Sequence, residues 1–210
     1  MGRKIINLAV GKPKEYNWND KKELSGIGKS TVQAFEVERT GIVGDDVANH
    51  KFHGGPDRVV CLYPFEHYAY WEEEFQKKLI LPAFGENLTA TGMTEEQVCI
   101  GDIYKIGDTI LQITQGRVPC VTISNYNEEK QFLKKVIETN LTGYFFRVLE
   151  EGTIMFDSEI TLLEKHSKEI SVSFATQILF HQKQDKVSIE KILTVDALSE
   201  EWKNRFLKLL

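Results

Sequence analysis

Glycine and proline stop abruptly partway along this sequence. All fifteen glycines and all five prolines lie before residue 153, and the stretch from Glu164 to Leu210 contains neither. Both residues punctuate turns between strands, whereas a long run without them is free to continue in helices. The chain therefore divides into a turn-rich part, residues 1–163, and a tail, residues 164–210, and its fold class is α+β with a strand-rich main domain. Short β-type runs fill the first part: Arg3 to Val10, Val59 to Tyr63, Ile103 to Ile106, Thr109 to Thr114, Tyr144 to Leu149 and Glu159 to Glu164. Gly107-Asp108 is a two-residue hairpin signal between two of them. Apolar spacing of three and four predicts a helix through Phe65, Tyr68, Trp71, Phe75 and Leu79 with Pro64 at its first position, and a second over about Glu128 to Glu138. In the tail the same spacing predicts three helices, Val172 to Phe180, Val187 to Leu193 and Glu200 to Leu210. Ser199 caps the last of them, with Glu200 and Glu201 in its first turn.

A net charge of -5 argues against broad, non-specific binding to nucleic acid polymers or anionic membranes. Three cysteines, Cys61, Cys99 and Cys120, are too few for a disulfide framework and too far apart for a metal knuckle, which points to a reducing compartment. No apolar run approaches a membrane span. Met1 to Val10 lacks a signal-peptide core, and Ile6 stands where a myristoylation signal needs Ser or Thr. A cytoplasmic location is expected. There, Asn87-Leu88-Thr89 and Asn140-Leu141-Thr142 meet no glycosyl transferase.

Five segments carry candidate chemistry. Ser25-Gly26-Ile27-Gly28-Lys29-Ser30 ends like a phosphate-binding loop, but Glu23 occupies the position of its first glycine. It reads either as a turn with an exposed lysine or as a place where Lys29 meets an anion. His50, His53, Asp57 and His67 are residue types that ligate metals, without a helical metal motif. In His53-Gly54-Gly55-Pro56-Asp57-Arg58, paired glycines let backbone amides approach a ligand and Arg58 suits an anion, or the segment is only a turn. Phe84-Gly85-Glu86-Asn87-Leu88 is a polar grip at a strand entrance, or a turn in which Asn87 caps its own backbone. Cys120 follows Arg117 and Pro119, where a guanidinium favours thiolate. Position alone leaves Cys120 either functional or structural, while Cys61 and Cys99 sit in apolar runs as packing residues.

Together, His53-Gly54-Gly55, Asp57-Arg58, Tyr63-Pro64 with Glu66-His67-Tyr68 and Trp71, Phe84-Gly85-Glu86-Asn87-Leu88-Thr89, Ile100-Gly101-Asp102 and Arg117-Val118-Pro119-Cys120 resemble the MOSC domain, in its YiiM-type form. The blocks cover about residues 1–163, and the tail resembles the three-helix domain of that subgroup. The resemblance implies a β-barrel-like domain that binds molybdenum cofactor, a pterin whose dithiolene sulfurs hold the metal. It implies Cys120 as metal ligand, Arg58, Arg117 and Lys29 at the pterin phosphate, and Asn87, His53 and the Gly54-Gly55 backbone on polar groups of pterin or substrate. It further implies reduction of N-hydroxylated compounds, including base analogues such as hydroxylaminopurine. His67, His53 or Glu86 then supply protons if they face the pocket.

Electrons must come from a separate flavoprotein or ferredoxin-type reductase, since neither a dinucleotide fingerprint nor an iron–sulfur cysteine pattern is present. The tail is then a docking surface, a packed lid or a homodimer contact. A non-catalytic carrier of cofactor or sulfur on Cys120 is the alternative reading, and an interaction module with a structural Cys120 is a third. Two positions depart from the subgroup: Gly116 where proline is common before the arginine, and Thr122 where a lysine commonly follows the cysteine.

Overall fold

A computed structural model describes residues 2–51 and 53–210. The chain opens with β1 (Lys4–Val10), a hairpin of β2 (Lys14–Trp18) and β3 (Lys21–Ser25), and the short strands β4 (Ser30–Thr31), β5 (Ala34–Glu38) and β6 (Gly41–Ile42). β7 (Val60–Pro64) leads into helix α1 (Glu66–Phe75), followed by β8 (Leu88–Thr91), β9 (Ile103–Ile106) and β10 (Thr109–Gly116). Helices α2 (Thr122–Tyr126) and α3 (Phe132–Thr139) precede β11 (Tyr144–Glu150), β12 (Gly152–Met155) and β13 (Ile160–Glu164). The tail forms α4 (Val172–His181), α5 (Lys186–Leu193) and α6 (Glu200–Leu207).

Eight strands make one curled, open sheet in the order β13-β9-β10-β11-β7-β8-β1-β4, and β12-β5-β6 make a second. Only β7 and β8 pair in parallel in the large sheet. Parallel neighbours need a crossover, and α1 supplies it. The hairpin expected at Gly107-Asp108 forms, with Thr109 opposite Ile106. Along β10 burial alternates from Thr109 to Ile113 and then ceases: Thr114, Gln115 and Gly116 are all buried. The tail causes this change by covering the other face. A Cβ on Gly116 would lie 2.6 Å from Thr176 Oγ1 and 2.8 Å from the Trp202 ring.

Each tail helix is capped by a side chain, Ser171 on Phe174 N, Asp185 on Ser188 N and Ser199 on Trp202 N, which satisfies a backbone donor with no partner inside the helix. Val172, Ile178, Ile192, Trp202 and Phe206 share one continuous core with Leu111, Ile113 and Phe146 of the sheet. A smaller aromatic core of Tyr63, Tyr68, Trp71, Phe84 and Phe132 lies under α1 to α3. Among the described residues, no helix is long and apolar enough to cross a membrane.

Some expected boundaries move. Pro64 ends β7 opposite Ala90, so the helix starts at Glu66 after Phe65. α1 stops at Gln76 in the left-handed region and does not reach Leu79. Glu128 has φ +50°, which keeps it out of α3, and the helix starts at Phe132. α6 ends at Leu207. The β2–β3 hairpin, turning through left-handed Asn19 and Asp20, is marked in the sequence only weakly, by Tyr16 and Trp18 on β2, because much of both strands is exposed.

Gly116→Ala is expected to lower stability by about 1–3 kcal/mol, because the rigid Trp202 ring cannot yield to a methyl group. A lower denaturant midpoint at unchanged m-value is the signature, and an unchanged midpoint would mean that the tail is less firmly seated on β10.

Candidate functional site

A cleft of about 540 Å³ opens over the middle of the large sheet, lined by the 24–29 and 40–48 loops, the His53–Arg58 segment, the Gly85–Asn87 turn, Gln115 to Cys120, and Glu201 and Arg205 of α6. Its volume lies within the usual range for small-molecule and cofactor sites. The structure brings Lys29, His53, Gly54, Gly55, Arg58, Asn87, Arg117 and Cys120 to this one cleft. It does not bring His67 and Glu86 there.

Cys120 is half-buried at the step from β10 into α2. Burial would push its thiol up, but hydrogen bonds from the His53 and Thr122 side chains, the Arg117 charge and the Thr122 backbone N–H outweigh that effect and bring it down to about 6. The sulfur is therefore largely thiolate at neutral pH. Cys61 also borders the cleft, and there burial dominates and pushes the thiol up to about 11. Cys99 lies away from the cleft, its thiol also raised by burial.

The cations of the cleft are held from behind. Lys29 forms an ion pair with Asp45, and its side chain is only 5% exposed, so the exposed-lysine reading does not hold. Asp45 Oδ1 also accepts from Gly11 N at 2.8 Å, and Oδ2 accepts from Asn87 Nδ2 at 3.0 Å. Nothing in the sequence but a Gly44-Asp45-Asp46 turn pattern pointed to Asp45. Asn87 Nδ2 donates also to Ala9 O at 3.3 Å, and its Oδ1 accepts from Cys61 N at 3.2 Å. With both amide hydrogens engaged, Asn87 braces the wall and has no donor left for a ligand. Arg58 Nε donates to Gly54 O at 2.8 Å, and its NH1 meets Glu201 Oε2 at 2.6 Å. Arg117 donates from NH1 to the Phe84 carbonyl and, among the described residues, pairs with no carboxylate.

Glu86 and His67 are corrected as proton donors. Glu86 is fully buried beneath the turn, where its carboxyl accepts from Tyr68 OH at 2.6 Å, Thr89 OH at 2.8 Å and Phe84 N at 3.0 Å. Burial pushes its carboxyl up. It ties down the backbone that presents Gly85 and Asn87 to the cleft. Gly85 adopts φ +69° with Ile27 backbone about 3.1 Å from where a Cβ would sit, so no other residue fits this turn comfortably. His67 Nε2 pairs at 2.6 Å with Glu95, whose other oxygen accepts from Gly143 N at 2.7 Å, and both are buried. His50 pairs with exposed Asp46 at 3.2 Å and Asp57 with Arg147 at 2.9 Å. Among the described residues, no three His, Cys, Asp or Glu side chains converge on a metal position. Of the expected acid groups, only His53 reaches the cleft.

Residues 49–161 match the MOSC domain model, and residues 170–210 match the model of the YiiM-like, 3-alpha helix domain. The chain is 42% identical over 205 residues to YflK of Bacillus subtilis (strain 168), covering 97% of this chain and 93% of that protein. The crystal structure of YiiM from Geobacillus stearothermophilus is similar over 99% of both chains, with a TM-score of 0.85 and 32% identity. A protein of Gibberella moniliformis (strain M3125 / FGSC 7600) named as a reductase is 39% identical over 137 residues, which are 63% of this chain and 24% of that protein.

Alkylation of Cys120 by iodoacetamide, followed by mass spectrometry, is expected to rise with pH to half its maximum near pH about 6, while Cys61 stays unmodified at neutral pH. Thr122→Val should move that midpoint upward, and an unmoved midpoint would show that the hydroxyl does not donate to the sulfur. Asp45→Ala leaves the Lys29 ammonium largely buried without its partner and should cost about 3–5 kcal/mol in denaturant unfolding, most of it recovered by adding Lys29→Met.

Proposed function

The chain belongs to the MOSC family, in the form that carries a YiiM-like three-helix domain, and on that premise we propose that it is a cytoplasmic reductase of N-hydroxylated compounds that holds molybdenum cofactor through Cys120. The observation that carries this reading is the Cys120 sulfur, ionised near neutrality and facing a cleft large enough for a cofactor. The kinship with a protein named as a reductase supports it.

The residues of the cleft fit such a group. A thiolate is a soft donor suited to molybdenum. Arg117, without a carboxylate partner, is the cation best placed to take a phosphate, with Lys29 and Arg58 adding charge from their ion pairs. Gly54 and Gly55, at φ +75° and +96°, leave the backbone there open to close approach. When bound, the cofactor supplies the two-electron reduction that the protein alone cannot perform.

The chain's own residues do the rest. Thr122 and His53 hold the sulfur as thiolate, and Arg117 adds its charge to the same end. Release of the N-hydroxyl oxygen as water takes two protons as well as two electrons, and His53 is the titratable donor that borders both the sulfur and the cleft. Asn87, Asp45 and Glu86 keep the walls in place. Electrons come from a separate flavoprotein or ferredoxin-type protein.

The test is molybdenum and pterin content of wild type and Cys120→Ser, each made in cells that synthesise the cofactor, with dithionite-driven reduction of hydroxylaminopurine. Near-stoichiometric molybdenum in the wild type, lost together with activity in the variant, is the expected result. Wild type that takes up no molybdenum even on reconstitution with cofactor would overturn the reading and leave carriage of sulfur on Cys120 in its place.

A further inference from the structure

Glu201 is, among the described lining residues, the one carboxylate that the tail sends into the cleft. Its Oε2 accepts from Arg58 NH1 at 2.6 Å and Gln115 Nε2 at 3.3 Å, and its Oε1 accepts from Arg205 Nε at 2.9 Å. The pair is partly open, with side-chain exposures of 19% for Arg58 and 28% for Glu201. A carboxylate on a guanidinium makes the same kind of charge-assisted hydrogen bond that a phosphate oxygen makes.

The seating of α6 does not need this contact. Ser199 Oγ donates to Gln115 Oε1 at 2.5 Å, Ser199 N to Thr114 O at 3.2 Å and Glu200 N to Asp57 Oδ2 at 3.2 Å, while Trp202 and Phe206 are fully buried. Helix and cleft wall thus stay joined when the Glu201 side chain turns away. Arg58 keeps its Nε bond to Gly54 O in that event. The positive side chains of the cleft outnumber its carboxylates by only one among the described lining residues: Lys29, Arg58, Arg117 and Arg205 face Asp45, Asp46 and Glu201.

We propose that Glu201 is a displaceable counter-ion of the cleft, occupying Arg58 until an oxyanion group of the ligand takes its place, so that the three-helix domain sets which anions the site accepts. Being tethered, the carboxylate competes at high effective concentration. A singly charged carboxylate or chloride gains little by replacing it. A phosphate or pyrophosphate group, with more charge and more acceptor oxygens, displaces it. Only the identity of the natural ligand rests on the functional reading above, and the anion filter stands without it.

Titration calorimetry of inorganic phosphate, pyrophosphate and acetate into the full chain, prepared without cofactor, tests this in wild type, Glu201→Gln, Arg58→Gln and the double variant. Glu201→Gln should bind phosphate about tenfold more tightly and lose discrimination against acetate, and Arg58→Gln should abolish the gain. Glu201→Asp, too short to reach Arg58, should shift binding in the same direction and serves if the glutamine variant fails to fold. Phosphate affinity that is unchanged, weaker or unmeasurable in a folded Glu201 variant overturns the proposal and makes Glu201 a strut. A wild type that takes up no molybdenum on reconstitution with cofactor, alongside the phosphate gain, sinks the reductase reading alone, and molybdenum-dependent turnover of the reconstituted wild type without the gain sinks this proposal alone.

Discussion

Trp202 reaches the sheet only because residue 116 is a glycine. The indole lies where any side chain on β10 would stand, and this contact draws the tail into the same core as Leu111, Ile113 and Phe146. Once the indole is seated, the start of α6 is fixed, and Ser199, Glu200 and Glu201 fall beside Gln115, Asp57 and Arg58. The tail is thus a wall of the cleft as well as a domain behind it. A proline at this position would carry its ring into the space that the indole fills. The glycine is the local counterpart of a large aromatic on α6.

Charge in the cleft is arranged in pairs. Lys29 has Asp45 and Arg58 has Glu201, while Arg117 donates to a carbonyl oxygen and, among the described residues, pairs with no carboxylate. Buried or half-buried ions need partners to offset lost hydration, and the partners also fix their geometry. Asp45 serves twice over, since the carboxylate that holds Lys29 also holds the Asn87 amide, and Asn87 in turn holds the backbone of Cys61. A single turn residue therefore joins three loops around the sheet. The thiolate of Cys120 is the exception among the anions, being met by hydrogen-bond donors and a nearby guanidinium with no direct ion pair.

Much of the fold was legible because its signals are local. The hairpin at Gly107-Asp108, the cap at Ser199 and the spacing of the tail helices each depend on a few neighbouring residues, and all are found in the structure. The gathering of Lys29, His53, Arg58, Arg117 and Cys120 at one cleft was implied by the family resemblance. What stayed hidden depends on direction and distance. Glu86 stands next to Asn87 in sequence, yet its side chain goes down to Tyr68 and Thr89 under the turn, a direction that the turn and not the residue type decides. His67 was out of reach for a similar reason, since α1 turns it inward onto Glu95. Asp45 and Glu201 lie 16 and 143 residues from the cations they meet, and no spacing rule connects them.

Thr122 bears most directly on the chemistry of the sulfur. A lysine beside the cysteine would favour thiolate through charge, an influence that acts over several ångströms and weakens with salt. Threonine acts through a hydrogen bond from its hydroxyl, joined by its own backbone N–H, and such bonds work only at contact distance and in the right orientation. The low thiol pKa here therefore depends on the conformation of the loop into α2 more than on net charge. Pro119 restricts that loop on one side and the short helix holds it on the other, through Ile123 N donating to Cys120 O at 3.2 Å. With threonine there, the cleft also carries one positive charge fewer than it would with a lysine at position 122, which leaves Arg58 and Arg117 with a larger share of its positive charge. The partner that Arg58 keeps on α6 then matters more in this chain than it would in one with a lysine at position 122.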